Sequence, residues 1–114
     1  MVAKNSTRRF QELSEPRKRL IRLMQCINFG RISFHVRRGE PDVDRSWRTR
    51  RTVKLGGGEN RPRPEAELAD FEFCREQAAL LDTLDHIADG ACVTVEVRHG
   101  VPFLVEIEQD HQAA

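Results

Sequence analysis

Ten basic side chains in the first half of the chain have the chemistry and the spacing to bind a polyanion. They lie on a predicted helix and on the hairpin that follows it, and they are Arg17, Lys18, Arg22, Arg37, Arg38, Arg45, Arg48, Arg50, Arg51 and Lys54. The arginine guanidinium is a planar fork of donors that matches phosphate oxygens, and a two-stranded ribbon can enter a groove of a nucleic acid or follow its backbone. These ten cations alone exceed what solubility requires of a segment of this length. The pattern therefore predicts contact with a nucleic acid or with an acidic protein surface.

Trp47 lies inside the arginine run, and two interpretations of it are open. An exposed tryptophan at this position can stack on a base. A buried one belongs to the hydrophobic core, which is the interpretation that the sequence favours. The arginines have a similar alternative, because they can form ion pairs with the acidic second half of the same chain.

The two halves of the chain carry opposite charge, although the net charge of the whole is +1. Residues 1–63 hold 17 lysines and arginines against 6 acidic residues, a net charge of +11. Residues 64–114 hold 2 against 12, a net charge of −10. A basic half favours binding to a polyanion, and two opposite halves also favour packing against each other. Both can hold at once, since packing covers only one face of each half.

The residue types needed for catalysis or metal binding are present without the required spacing. Neither the four histidines nor the three cysteines form a zinc pattern such as CxxC or two histidines one helical turn apart. The sequence has no GxSxG motif, and its carboxylates are spread along a predicted helix. The run that begins at Gly56 lacks the Lys-Ser/Thr of a phosphate-binding loop. The sequence predicts a protein that is not an enzyme and that binds no metal or cofactor.

Composition indicates one domain or two very small ones, since the chain has 114 residues of which 39% are hydrophobic. No apolar run approaches the ~20 residues of a membrane span, so no membrane partner is expected. Residues 1–13 lack the apolar segment of a secretory signal, and an odd number of separated cysteines is typical of reduced thiols. We therefore expect a cytoplasmic location.

The first predicted helix and hairpin hold the basic residues. Ser14 can cap a helix over Glu15–Ile27, and Asn28 and Gly30 end it. The alternation of Ile32, Phe34 and Val36 with polar residues predicts a strand, and Arg38-Gly39 the tight turn after it. The imperfect pattern from Val43 to Leu55 predicts a return strand with an irregular middle.

The acidic half repeats the same order of elements. The composition of Glu65–Ala88 predicts helix over most of its length, most securely over Phe73–Ile87. A hairpin of Cys92–Val97 and Val101–Glu108 follows, with its turn at His99-Gly100. The apolar helix positions of the two halves match at an offset of 60 residues, and the strand positions match at 61.

These elements predict an α+β fold of two tandem helix–hairpin units, with both hairpins in one antiparallel sheet and both helices on one face. One such unit buries too little surface to be stable alone. The expected organisation is a flexible tail over 1–13, a basic unit over 14–55, a Gly/Pro linker over 56–64, an acidic unit over 65–108 and a second tail over 109–114. A homodimer is another way to complete such a core.

The order helix, glycine, alternating strand and glycine turn resembles a family of very small bacterial proteins known only as a domain of unknown function. The residues that carry the resemblance are L-I-R-L-M-Q-C-I-N-F-G-R-I-S-F-H-V-R-R-G, followed by the looser copy L-L-D-T-L-D-H-I-A-D-G-A-C-V-T-V-E-V-R-H-G. The resemblance implies a helix-and-hairpin fold, and it implies no activity and no catalytic residue.

Two functions from different classes follow from the sequence. The first is a small non-enzymatic nucleic-acid-binding or regulatory protein that uses the basic helix and the arginine-rich hairpin. The second is a protein-interaction module or inhibitor that acts through the acidic second helix or through an open edge of the sheet. The orientation of the arginines from Arg45 to Arg51, toward solvent or toward the acidic half, distinguishes them.

Overall fold

The computed structural model describes residues 9–56 and 64–111, and these ranges form an α+β fold. They contain two α-helices, two short 3-10 helices and a five-stranded antiparallel sheet. The elements in chain order are a 3-10 helix Phe10–Glu12, α1 Glu15–Ile27, β1 Gly30–Arg37, β2 Glu40–Pro41, β3 Arg48–Arg51, a 3-10 helix Pro64–Glu67, α2 Arg75–Leu84, β4 Cys92–Arg98 and β5 Val101–Glu108. The predicted α+β class and the antiparallel sheet are confirmed, while the predicted linker lies largely outside the described residues.

Helix α1 has the predicted bounds because its end signals agree with its apolar stripe. Ser14 occupies the N-cap position, and a proline follows within the first turn, where its missing N–H costs nothing. Asn28 ends the helix with a positive φ of 65°, which asparagine adopts more readily than most residues. Leu20 and Met24 lie on the stripe and are fully buried.

Helix α2 is much shorter than predicted. It covers Arg75–Leu84, so the prediction of helix over most of Glu65–Ala88 is wrong. Phe71 is buried in the core, where its ring stacks on Phe10 at 5.1 Å and its carbonyl accepts the Phe10 N–H at 2.9 Å. The chain stays non-helical through this contact, and α2 begins only after Cys74, whose N–H is satisfied by the Gln77 side chain. Helix-favouring composition is overridden here by tertiary packing.

The segment from Phe10 to Leu13 belongs to the core, although a flexible tail was predicted there. Phe10 and Leu13 are both buried. Arg9 fastens the segment through an ion pair with Asp70, at 2.7 Å between Nε and Oδ2. The pKa of Asp70 is lowered, mainly by the hydrogen bond from the Gln11 N–H and next by that from the Arg9 guanidinium. The hydrogen bond to Asp70 in turn raises the pKa of Arg9. Residues 1–8 of the predicted tail lie outside the described residues.

The sheet has the strand order β2–β1–β4–β5, and β3 pairs with β1 on the same side as β2. The return strand of the first hairpin is therefore split into β2 and β3, and the predicted strand start near Val43 is wrong. Both predicted turns are confirmed: Arg38 and Gly39 have φ of 55° and 74°, and His99 and Gly100 have 55° and 76°. Two successive positive φ values match the right-handed twist of a tight hairpin.

One hydrophobic core joins the helices to one face of the sheet. Alternate residues of β1 and β4, such as Phe34 and Val95, are buried together with Leu20, Met24 and Leu84 from the helices. The side chains between them, including Ser33 and Thr94, lie on the other face and are half-buried. We call this second face the open face of the sheet.

Arg17 connects the two halves of the chain from a largely buried position. Its side chain is 13% exposed, and it forms ion pairs with Glu40 at 2.7 Å and with Asp85 at 2.6 Å. It also donates hydrogen bonds to the carbonyls of Gly39 at 2.8 Å and Leu81 at 3.3 Å. The side chain therefore links α1, the first hairpin turn and the end of α2.

We expect Arg17→Met to lower the free energy of unfolding by about 2 kcal/mol, because it leaves the half-buried Asp85 carboxylate without its cation. Arg37→Met is the matched control, since Arg37 is 59% exposed and lies 4.0 Å from Asp44. It should change stability by no more than about 0.5 kcal/mol. Urea unfolding followed by circular dichroism measures both, and equal losses would contradict the linking role of Arg17.

Candidate nucleic-acid interface

The three predicted contact residues on α1 all bind other parts of the same chain. Arg17 forms the contacts described above. Lys18 lies 3.6 Å from Glu15 and 3.4 Å from the Gln11 side chain. Arg22 donates to the carbonyls of Glu65, Ala66 and Leu68, and its guanidinium lies over the Phe10 ring at 4.1 Å. We therefore leave these three residues out of the candidate interface.

The two arginines at the first hairpin turn are exposed and are held by acidic neighbours. Arg37 pairs with Asp44, while the backbone N–H of Arg38 donates to Asp89 at 2.7 Å. This backbone contact fixes the turn against the segment after α2 and leaves the Arg38 side chain directed to solvent. These two side chains therefore add positive charge beside β2, and they are separate in sequence from the arginines of β3.

Strand β3 brings together the arginines that most resemble a binding surface. All four of its residues are exposed, and three of them are arginines: Arg48, Arg50 and Arg51. Arg48 pairs with Ser33 and Arg50 with Arg31, so both side chains lie on the open face. Within the part of the chain that the structure describes, no carboxylate forms an ion pair with these three residues or with the exposed Arg45. We call Arg45, Arg48, Arg50 and Arg51 the arginine edge.

The acidic half neutralises other arginines instead. Arg31 lies 3.3 Å from Glu96 and 3.7 Å from Glu106, and Arg98 lies 2.9 Å from Glu96. Arg31 was not among the predicted contact residues, although it has the same parity along β1 as the outward-facing Ser33. The arginines of the first half therefore fall into two groups. Arg31 on β1 forms ion pairs with the acidic hairpin, whereas the arginine edge faces solvent.

Gly30 allows β3 to approach β1. Its φ is 152°, and a Cβ added there would lie 1.9 Å from the carbonyl oxygen of Arg50. The pairing continues past β3, where the Thr52 N–H donates to the Phe29 carbonyl at 2.8 Å. Lys54 follows and places its ammonium group 4.4 Å from the centre of the Phe29 ring. The position of the arginine edge therefore depends on a residue without a side chain at position 30.

Trp47 packs against the core, as the sequence favoured. Its ring centre lies 5.5 Å from that of Phe34, and the Arg19 guanidinium lies 4.7 Å from the indole. The indole N–H donates to the carbonyl of Asp42 at 2.8 Å. These contacts anchor the segment between β2 and β3, so the tryptophan acts as a support for the arginine edge.

Within residues 9–56 and 64–111, no three His, Cys, Asp or Glu side chains cluster in a way that could hold a metal ion. The same ranges contain no helix that is long and apolar enough to cross a membrane. Comparison with known proteins gave no matching family model, no matching curated protein and no matching solved structure.

We expect Gly30→Ala to detach β3 from β1, because the new Cβ cannot coexist with the Arg50 carbonyl at its present position. The amides of β3 and of Thr52 should exchange with solvent much faster, whereas those of β4 and β5 should keep their protection. Gly56→Ala is the matched control, since a Cβ there meets no atom within 4 Å. Hydrogen exchange measured by NMR tests this, and unchanged protection of β3 would contradict it.

Proposed function

We propose that the chain is a small non-enzymatic nucleic-acid-binding or regulatory protein whose contact surface is the arginine edge. One observation carries the proposal: three of the four residues of the exposed edge strand β3 are arginines. No carboxylate among the described residues forms an ion pair with their guanidinium groups. Elsewhere Arg9, Arg17 and Arg31 are all paired with acidic residues. Among the described residues, the arginine edge is therefore a cluster of positive charge that no carboxylate of the chain neutralises.

Electrostatics supports an external anion at this edge. Arg50 lies directly across from Arg31, and like charges opposite each other in a sheet are destabilising. Arg31 has Glu96 and Glu106 as partners, while Arg48 and Arg50 remain about 6.6 Å apart along one side of β3. Phosphates spaced along a nucleic-acid strand would neutralise this row and form charge-assisted hydrogen bonds with its guanidinium groups.

We also propose that the fold consists of two tandem helix–hairpin units related by an approximate twofold axis. Ser33 pairs with Thr94, 61 residues further on, and their hydroxyls are 2.9 Å apart. This spacing equals the sequence offset of the two strand patterns, so β1 and β4 pair about equivalent positions. An experimental structure would oppose the proposal if superposing 30–41 on 91–102 did not also bring α1 near α2.

Salt dependence tests the nucleic-acid proposal. We expect the affinity for a single-stranded oligonucleotide to fall steeply with salt, because arginine side chains that bind the phosphates displace counterions from them. The double variant Arg48→Gln/Arg50→Gln should reduce the slope of log K against log salt by about 1.4, which corresponds to two lost phosphate contacts on a single strand. Fluorescence anisotropy with a labelled oligonucleotide, compared with a duplex of the same sequence, measures the slopes.

The control for this experiment is Arg98→Gln, which removes an arginine that is already paired with Glu96. Its slope should equal that of the wild-type protein. The absence of binding at low salt, or equal slopes for all three proteins, would refute nucleic-acid binding by the arginine edge.

A second candidate is a protein-interaction function at the β5 edge, and the exposed apolar residues there favour it. Phe103, Leu104 and Ile107 are each about half exposed on β5, beside Glu106 and Glu108. The occupant that fits is β3 of a second copy. Its arginines complement the glutamates, whereas two β5 edges or two β3 edges repel each other. Strand β5 runs antiparallel to β3, so the second β3 would continue the alternation of the sheet.

Charge reversal tests this second candidate. Wild-type protein should self-associate with rising concentration, and either Glu106→Lys/Glu108→Lys or Arg48→Glu/Arg50→Glu should abolish association. Mixing the two variants should restore it, because each then offers the edge that the other lacks. Sedimentation velocity measures the association, and a wild-type protein that stays monomeric at all concentrations would rule this candidate out.

A further inference from the structure

A cavity of about 650 Å³ lies on the open face, directly beside the arginine edge. One wall is the segment that leads into β3, with Trp47 and Arg48, and the opposite rim holds Glu108 of β5. The floor includes Ser33 and His35 of β1 and Thr94 of β4. Ligand cavities for small molecules have volumes of roughly 300–1,000 Å³, so this space can hold a group the size of a nucleotide.

The floor and the wall supply hydrogen-bond donors that the chain itself leaves unused. Ser33 and Thr94 share one hydrogen bond between their hydroxyls, so one of the two keeps a proton that it can donate. The guanidinium of Arg48 has no ion-pair partner among the described residues.

The cavity is polarised from one end to the other. Arg48 is the cation at the β3 end, and Glu108 is an acceptor at the β5 end. Strands β1 and β4 lie between these ends, so the backbones of β3 and β5 are roughly 14 Å apart. Part of this distance is spanned by the two long side chains themselves. The remaining length suits a molecule with an anion at one end and a hydrogen-bond donor at the other.

We propose that this cavity binds one nucleotide of a single-stranded nucleic acid, with its phosphate at Arg48 and a base amine or sugar hydroxyl at Glu108. The inference rests on the proposed function and specifies its ligand. Arg50, next along the open side of β3, takes the phosphate of a neighbouring nucleotide. A paired base cannot enter the cavity, because the other strand of a duplex occupies its edge. The protein therefore prefers single strands to duplexes.

Trp47 provides the measurement, because it is the single tryptophan of the chain and forms part of the cavity wall. Titration with AMP and with CMP should change the tryptophan fluorescence of the wild-type protein in a saturable manner. Inorganic phosphate should compete for the same site. Isothermal calorimetry on the same samples detects binding that leaves the fluorescence unchanged.

Alanine variants of two arginines on β3, Arg48 and Arg51, form a matched pair. Arg48→Ala should weaken mononucleotide binding about tenfold, because it removes the charge-assisted contact to the phosphate. Arg51→Ala should leave mononucleotide binding unchanged, since Arg51 is on β3 but does not line the cavity. Glu108→Leu should weaken the binding of AMP, because it removes the acceptor for the base amine or sugar hydroxyl. It should leave the binding of inorganic phosphate unchanged, because phosphate does not reach that end.

The outcomes separate this proposal from the one on which it rests. If mononucleotides give neither a fluorescence change nor heat, while single strands still bind through the arginine edge, the cavity proposal is wrong and the proposed function stands. Equal effects of Arg48→Ala and Arg51→Ala on AMP binding would also overturn the cavity proposal. If AMP binds and oligonucleotides do not, the cavity is a mononucleotide site and the proposed function is wrong.

Discussion

The antiparallel pairing of β1 with β4 is the interaction on which the rest of the structure depends. These two strands are central in the sheet, and they bring the basic and the acidic halves of the chain into contact. Their buried side chains form one face that both helices cover, so a single core joins the two halves of the chain. The Ser33–Thr94 hydroxyl pair lies on the other face and forms part of the floor of the cavity.

The same pairing decides which charges are neutralised. With β1 and β4 in the centre, β3 and β5 lie at opposite edges of the sheet. Glu96 on β4 and Glu106 on β5 both reach Arg31 on β1, but the arginines of β3 lie one strand further away. A chain that is nearly neutral overall therefore presents a basic edge and an acidic edge. Since ion pairs need close approach, the strand order determines where positive charge remains available to a partner.

The differences between prediction and structure have local physical causes. Helix α2 is short because the packing of Phe71 on Phe10 outweighs the helix propensity of the residues around it. The same contact makes Phe10 part of the core. Arg17 and Arg22 look like surface cations in a sequence pattern, yet both bind other parts of the chain. The Arg17 guanidinium binds two carboxylates and two carbonyls, and that of Arg22 binds three carbonyls. A charged side chain with a long apolar stem can occupy either environment, so its residue type does not reveal its partners.

The sequence by itself determined the elements whose signals are local. The bounds of α1, the alternation in β1 and β4, and the two glycine turns follow from caps, periodicity and backbone preference within a few residues. The tertiary structure alone decided the strand order, the short α2 and the division of arginines into paired and exposed groups. It also decided the cavity, whose residues Ser33, Thr94 and Glu108 come from three strands. Such arrangements depend on contacts between residues that are distant in the sequence, such as Ser33 and Thr94, and no local pattern encodes them.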